Sequence, residues 1–132
     1  MRRTVYTRNA PKAIGPYSQA VVSGDLIFLS GQIALDPETG ALTGDDVSSQ
    51  TERVIENIRA IIEAAGGSLA DVVKTTVYMV DLGEFAEMNR VYEKYFLDVM
   101  PARATVQVAS LPAGALIEID AVGSLPRNAG EK

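Results

Sequence analysis

The stretch PARATVQVASLPAGALIEID, Pro101 to Asp120, reads as two strands joined by a Pro/Gly turn. Successive side chains of a strand point to opposite faces. On the first strand Val106 and Val108 mark an apolar face, which leaves Arg103, Thr105 and Gln107 on the other. On the second, Ile117 and Ile119 mark the apolar face, and Leu116, Glu118, Asp120 and Val122 share the opposite one. Directly opposed residues of an antiparallel pair share a face. With the valines and isoleucines on a common face, this predicts Glu118 opposite Thr105 and Arg103 diagonal to Glu118, roughly 7–8 Å away. A guanidinium and a carboxylate would then converge on one patch of sheet. Such pairs are common on solvated sheet faces, where they contribute little. Here Leu116 and Val122 share the face, so it is expected to be covered, and a covered charge needs a reason.

Upstream, two helical periods stand out. From Asp45 to Ala65, Val47, Thr51, Val54/Ile55, Ile58, Ile61/Ile62 and Ala65 recur on one side of a helix. Its start is either a Ser49-x-x-Glu52 capping box or an N-cap at Asp45 or Asp46, and Gly66-Gly67 stops it. The second helix opens at Asp81-x-x-Glu84 and runs to about Asp98. Its stripe is Phe85, Met88, Val91/Tyr92 and Tyr95/Phe96, and Pro101 closes the segment. Asn89 lies beside that stripe, either as a surface amide or as a pocket-lining donor. Val72 to Val80 is rich in β-branched residues and reads as a strand. Lys74 within it is either a snorkelling edge charge or, less simply, a nucleophile. Nearer the N-terminus, Thr4–Tyr6, Tyr17–Val22 and Leu26–Ser30 read as strands, the last two joined by a Ser23-Gly24-Asp25 turn. Ser30-Gly31 at a strand end marks a bulge, a close backbone approach, or an amide facing a ligand.

The order β-β-β-α-β-α-β-β predicts an α+β two-layer sandwich, a mixed sheet of about six strands with both helices on one face. Residues 1–132 are expected to form one domain, with a polar tail over 126–132. The sheet face opposite the helices is left bare and half-apolar, which invites another subunit.

Composition narrows the chemistry. The chain has 132 residues, a net charge of −5, no cysteine and no histidine. An acidic chain without a Lys/Arg track is not expected to bind nucleic acid. No apolar run approaches a membrane span, and Arg2-Arg3 leads into a polar stretch rather than a secretory signal. Lack of histidine removes Ser-His triads, His-ligated zinc and the imidazole base. Asp45-Asp46 and Asp36/Glu38 sit where turns and helix starts place acids, so no metal and no cofactor are expected. Chemistry must come from carboxylates, Arg, Lys, Tyr, Ser/Thr or backbone groups.

P-A-R-x-x-V-x-V-x-x-L-P with A-L-I-E-I-D-A resembles the signature of the Rid (reactive intermediate deaminase) family, also called YjgF-like. AIGPYSQAV (Ala13 to Val21), FLSGQI (Phe28 to Ile33), DPETG (Asp36 to Gly40) and VVKTTVYMVDL (Val72 to Leu82) resemble it in the same order. The resemblance runs from about Thr4 to Gly123. It implies a chorismate-mutase-like fold, a homotrimer with sites in clefts between subunits, and hydrolysis of 2-imino acids and their enamine tautomers to 2-keto acids and ammonia. On it, Arg103 grips the substrate carboxylate and Glu118 activates water. Tyr17, Ser30 and Gly31 contact substrate, and the backbone carbonyl of Thr105 helps hold the water; Asn89, by its place beside the helical stripe, is a further substrate-contact candidate. Many relatives carry Cys where this chain has Thr105: a side-chain nucleophile there would leave this protein inactive, whereas Thr is harmless if only the backbone acts. A cytoplasmic enzyme is expected. Two other readings stand beside it: a module that binds keto acids or amino acids without turnover, and an RNA-directed activity described for some relatives. Acidic charge and missing histidine count against the last.

Overall fold

The structure, a computed structural model, describes residues 2–126. β1 (Arg2–Val5), β2 (Ala20–Ser23) and β3 (Leu26–Gln32) form an antiparallel meander. The chain then enters α1 (Val47–Ala64), β4 (Val72–Met79), α2 (Phe85–Phe96), β5 (Ala102–Gln107) and β6 (Ile117–Ser124). The six strands lie in the order β1-β2-β3-β6-β4-β5. Two helices over one face of a six-stranded mixed sheet is the α+β sandwich predicted. Among the described residues no helix is long and apolar enough to cross a membrane. Apart from Pro126, the polar tail lies outside the described residues.

Local chemistry accounts for the elements. Asp46 is the N-cap of α1, its carboxylate accepting from the Ser49 amide at 2.9 Å, so the Ser49-x-x-Glu52 alternative loses. Beyond the helix, the Gly66 and Gly67 amides donate to the Glu63 and Ile62 carbonyls, and Gly66 takes a left-handed φ of 96°. Val47, Thr51, Val54, Ile55, Ile58, Ile61 and Ile62 are all buried, and α1 packs on β3 and β6. Asp81 caps a 3₁₀ turn over Leu82–Glu84, and α2 follows from Phe85. The second helix ends at Phe96, short of Asp98, and β2 begins at Ala20, leaving Tyr17 in a loop. Fully buried Asn57 on α1 ties the layers, donating to the Ile33 and Leu35 carbonyls.

Strand order departs from the local reading of Pro101–Asp120. β5 and β6 are not partners. β6 lies between β3 and β4, antiparallel to both, and β5 pairs parallel to β4 at the sheet edge. Burial explains the choice. Ile117, Ile119 and Ala121 are 0%, 1% and 2% exposed, and only a central position under the helices buries them so fully. α2 serves as the crossover that a parallel β4–β5 pair requires.

The face assignment of β5 is corrected as well. Thr75 pairs with Arg103 and is fully buried beneath α2. Arg103, Thr105 and Gln107 therefore lie on the helix side, and Val106 takes the open face, 41% exposed. Valine spacing identifies the two faces of a strand but not which of them the helices cover. The open face carries Phe28, Lys74, Thr76, Tyr78, Val106, Glu118, Asp120 and Val122.

Candidate active site

Arg103 opens one half of the site. β5 carries it at the sheet edge, where α2 supplies the floor. Its Cζ lies 4.8 Å from the Tyr92 ring centroid and 5.5 Å from that of Phe85. Its one side-chain hydrogen bond among the described residues is a long contact of 4.0 Å from Nη1 to Met88 Sδ. A guanidinium carries five N–H donors, so the fork stays open to an incoming acceptor. Asn89, Tyr92, Glu93, Phe96, Met100, Pro101 and Arg103 line a cleft of about 500 Å³ here. Asn89 and Arg103 thus share a cleft. Burial pushes the Tyr92 phenol up, while its bond with Thr75 and the guanidinium beside it pull the other way.

Glu118 opens the other half. It lies on the open face of β6, directly across from Tyr78 on β4. β3 bulges beside it: Leu29 pairs with Ala121 but Gln32 with Ile119, so Ser30 and Gly31 stand out of register. Gly31 leaves room for the Glu118 side chain at that bulge: a Cβ there would collide with Oε2 and push the carboxylate aside. Glu118 therefore rests on bare backbone. Tyr17, Ser30, Gly31, Ile33, Pro112 and Glu118 line a cleft of about 330 Å³. The Ser30 hydroxyl donates to the Ser18 carbonyl at 2.6 Å and its amide to the Gln19 carbonyl at 3.0 Å, which fixes the bulge to the Tyr17 loop. Buried Gln19 pins that loop through the Thr7 and Pro11 carbonyls. Burial raises the Glu118 carboxyl above its ordinary value, and the Asp120 carboxylate on the same face raises it further. Asp120 is itself held by the Tyr78 hydroxyl, which donates to it at 3.0 Å.

The two halves do not meet within one chain. Arg103 pairs with Thr75 and Glu118 with Tyr78, so one strand and three residues separate them, roughly 14 Å between Cα atoms. Their side chains also leave opposite faces of the sheet. Thr105, next to Val77 on the helix side, lines neither cleft. Lys74 donates to Thr76 on the open face and has no place in either cleft.

A larger cleft of about 820 Å³, lined by Arg8, Asn9, Asp36, Pro37, Glu38 and Arg53, lies elsewhere. Its charges are of mixed sign, and Asp36 already caps its own turn through the Glu38 amide. It brings together none of the candidate residues. Sequence pattern did not single out Tyr78, Ile33 or Pro112, which reach the Glu118 region only through strand order and the Pro112–Gly114 turn. A strand tyrosine and a turn proline carry no signal of a site by themselves.

Comparison with known proteins agrees across nearly the whole chain. Residues 7–124 match the family model described as Endoribonuclease L-PSP. A RutC family protein of Pyrococcus horikoshii is 52% identical over 92% of this chain and 97% of its own. The 2-iminobutanoate/2-iminopropanoate deaminase of Salmonella typhimurium is 49% identical over 92% of this chain and 97% of its own. RidA from the Antarctic bacterium Psychrobacter superimposes with a TM-score of 0.90 at 48% identity, covering 93% of this chain and 99% of that one. The chain belongs to the Rid, or YjgF-like, family.

Proposed function

We propose that the protein hydrolyses small 2-imino acids to 2-keto acids and ammonia, in a homotrimer whose sites join the Arg103 cleft of one subunit to the Glu118 cleft of its neighbour. The observation that carries this reading is the separation of two complementary half-sites. One holds an open guanidinium fork, the other a carboxylate of raised basicity, and they occupy opposite faces of a single chain. A second copy laid against the half-apolar open face would bring them together and cover Phe28 and Val106, 45% and 41% exposed. The deaminase named among the relatives is consistent with that chemistry.

The proposed mechanism needs only residues of this chain. The Arg103 fork takes the substrate carboxylate with two parallel charge-assisted bonds and so fixes the imine carbon. Asn89 and Tyr17 bound the substrate from the two clefts, and Ser30-Gly31 shape the wall beneath Glu118. Glu118 removes a proton from water as its oxygen attacks C2, and the C=N bond pair moves to nitrogen. The nitrogen takes that proton to give the carbinolamine; Glu118 then passes the hydroxyl proton to the nitrogen as the C–N bond breaks, so ammonia leaves and C2 becomes the ketone. Raised basicity suits Glu118 to this exchange, since its carboxylate is a stronger proton acceptor than an ordinary one. The Thr105 side chain, which lines neither cleft, has no chemical part. Substrates of this kind arise from pyridoxal-phosphate enzymes, and a cytoplasmic setting beside such enzymes fits this reading.

The test is a coupled assay in which a dehydratase generates 2-aminoacrylate from serine and pyruvate release is followed with and without this protein. Acceleration supports the enzyme. Measurable pyruvate binding without acceleration supports the keto-acid binding module instead. The family description names an endoribonuclease, but a net charge of −5 and the absence of histidine oppose phosphate-backbone chemistry here.

A further inference from the structure

We infer that Phe85 and Tyr92 are positioning residues for Arg103: an aromatic cradle on α2 that orients the guanidinium while leaving its donors unoccupied. The inference rests on the reading that Arg103 receives the substrate carboxylate. Phe85, Met88 and Tyr92 are spaced three and four apart, so they form one stripe along the helix, directly under the arginine. Tyr92 does not float in this stripe. Its hydroxyl shares a 2.7 Å hydrogen bond with Thr75 Oγ1, and Thr75 is the residue paired with Arg103 across β4 and β5. The ring is thereby tied to the same rung of the sheet as the side chain it supports. Phe96 packs against it, one helical turn on, at 4.6 Å between centroids.

The physical logic lies in how each kind of partner holds an arginine. A carboxylate would fix the guanidinium by taking its N–H groups, the groups the substrate needs. An aromatic face holds the planar cation through its π cloud and leaves the in-plane donors free. Phe85 favours this role over simple core filling. Within its own chain it is 39% exposed, outside the core cluster, and its ring lies 5.5 Å from Arg103 Cζ.

The experiment compares wild type with Phe85→Leu, Phe85→Tyr, Tyr92→Phe and Tyr92→Leu. Readouts are KM and kcat in the coupled assay, pyruvate affinity by calorimetry, and the order parameter of the Arg103 Nε–H group by ¹⁵N NMR. Phe85→Leu should raise KM and the pyruvate Kd by about five- to tenfold, with kcat changed by less than about twofold. Arg103 order should fall in the same variant, and Phe85→Tyr should restore all three. Tyr92→Phe keeps the ring and should lie between wild type and Tyr92→Leu. Because Phe85 is partly exposed, its replacement tests the cradle even if Tyr92→Leu fails to fold. A folded Phe85→Leu protein with unchanged Kd and unchanged Arg103 order overturns the inference. If wild type does not hydrolyse imines, the deaminase reading fails alone, because Arg103 order still reports on the cradle.

Discussion

Mixing Arg103→Lys subunits with Glu118→Gln subunits should restore activity that neither variant has alone. Separately, each substitution removes one half of every site. Lysine keeps the charge of Arg103 but not the planar fork, which should cost about 2–4 kcal/mol of transition-state stabilisation, on the order of 30- to 1000-fold in rate. Glutamine at Glu118 keeps the shape and a hydrogen bond to water but takes no proton, so binding should survive while turnover falls about 10²- to 10⁴-fold. Since Arg103 and Glu118 leave opposite faces of the sheet, the proposed site draws them from different chains. In a random equal mixture, about one quarter of such interfaces pair an intact Arg103 with an intact Glu118. Every trimer that holds both variants has one such interface among its three, so the doubly tagged protein should show about one third of the wild-type kcat, while about half of its sites bind pyruvate. Differentially tagged chains would be co-expressed, purified through both tags and assayed by pyruvate release, with sedimentation to count subunits. A mixed assembly no more active than the better single variant would refute the shared site. A stable monomer at micromolar concentration would remove its basis altogether.

Other consequences are equally open to measurement. Asp120→Asn should move the acid limb of the kcat/KM profile to lower pH, because Asp120 adds to the elevation that burial imposes on Glu118 and burial remains. An unmoved limb would show that Asp120 does not tune the base. Gly31→Ala should leave the fold intact but displace the Glu118 carboxylate, with turnover falling at least about tenfold; wild-type turnover would mean that Glu118 does not need that seat. Asn57→Ala should destabilise by about 2–3 kcal/mol in urea unfolding, since it leaves the Ile33 and Leu35 carbonyls without their side-chain donor. Thiol-modifying reagents should leave the rate unchanged because the chain has no cysteine; inactivation at low reagent concentration would contradict the proposed chemistry.

Local signals told most about the helices. Isoleucine spacing, the Asp46 cap and the Gly66-Gly67 stop delimit α1 to within a few residues, because helical hydrogen bonds and caps join residues near in sequence. The bulge at Ser30-Gly31 was legible for the same reason, although its neighbour Glu118 was not. Residue types at Arg103 and Glu118, and the missing histidine, narrowed the chemistry before any coordinates. Strand order was decided elsewhere. A Pro/Gly turn between two alternating strands suggests a hairpin, yet burial of Ile117, Ile119 and Ala121 under α1 drew β6 into the sheet centre and left β5 beside β4. That non-local choice placed Arg103 under α2, with Tyr92 and Phe85, and set Glu118 on the face that no helix covers. Alternation defines the two sides of a strand; only the competition among all apolar surfaces for the interior decides which side faces in.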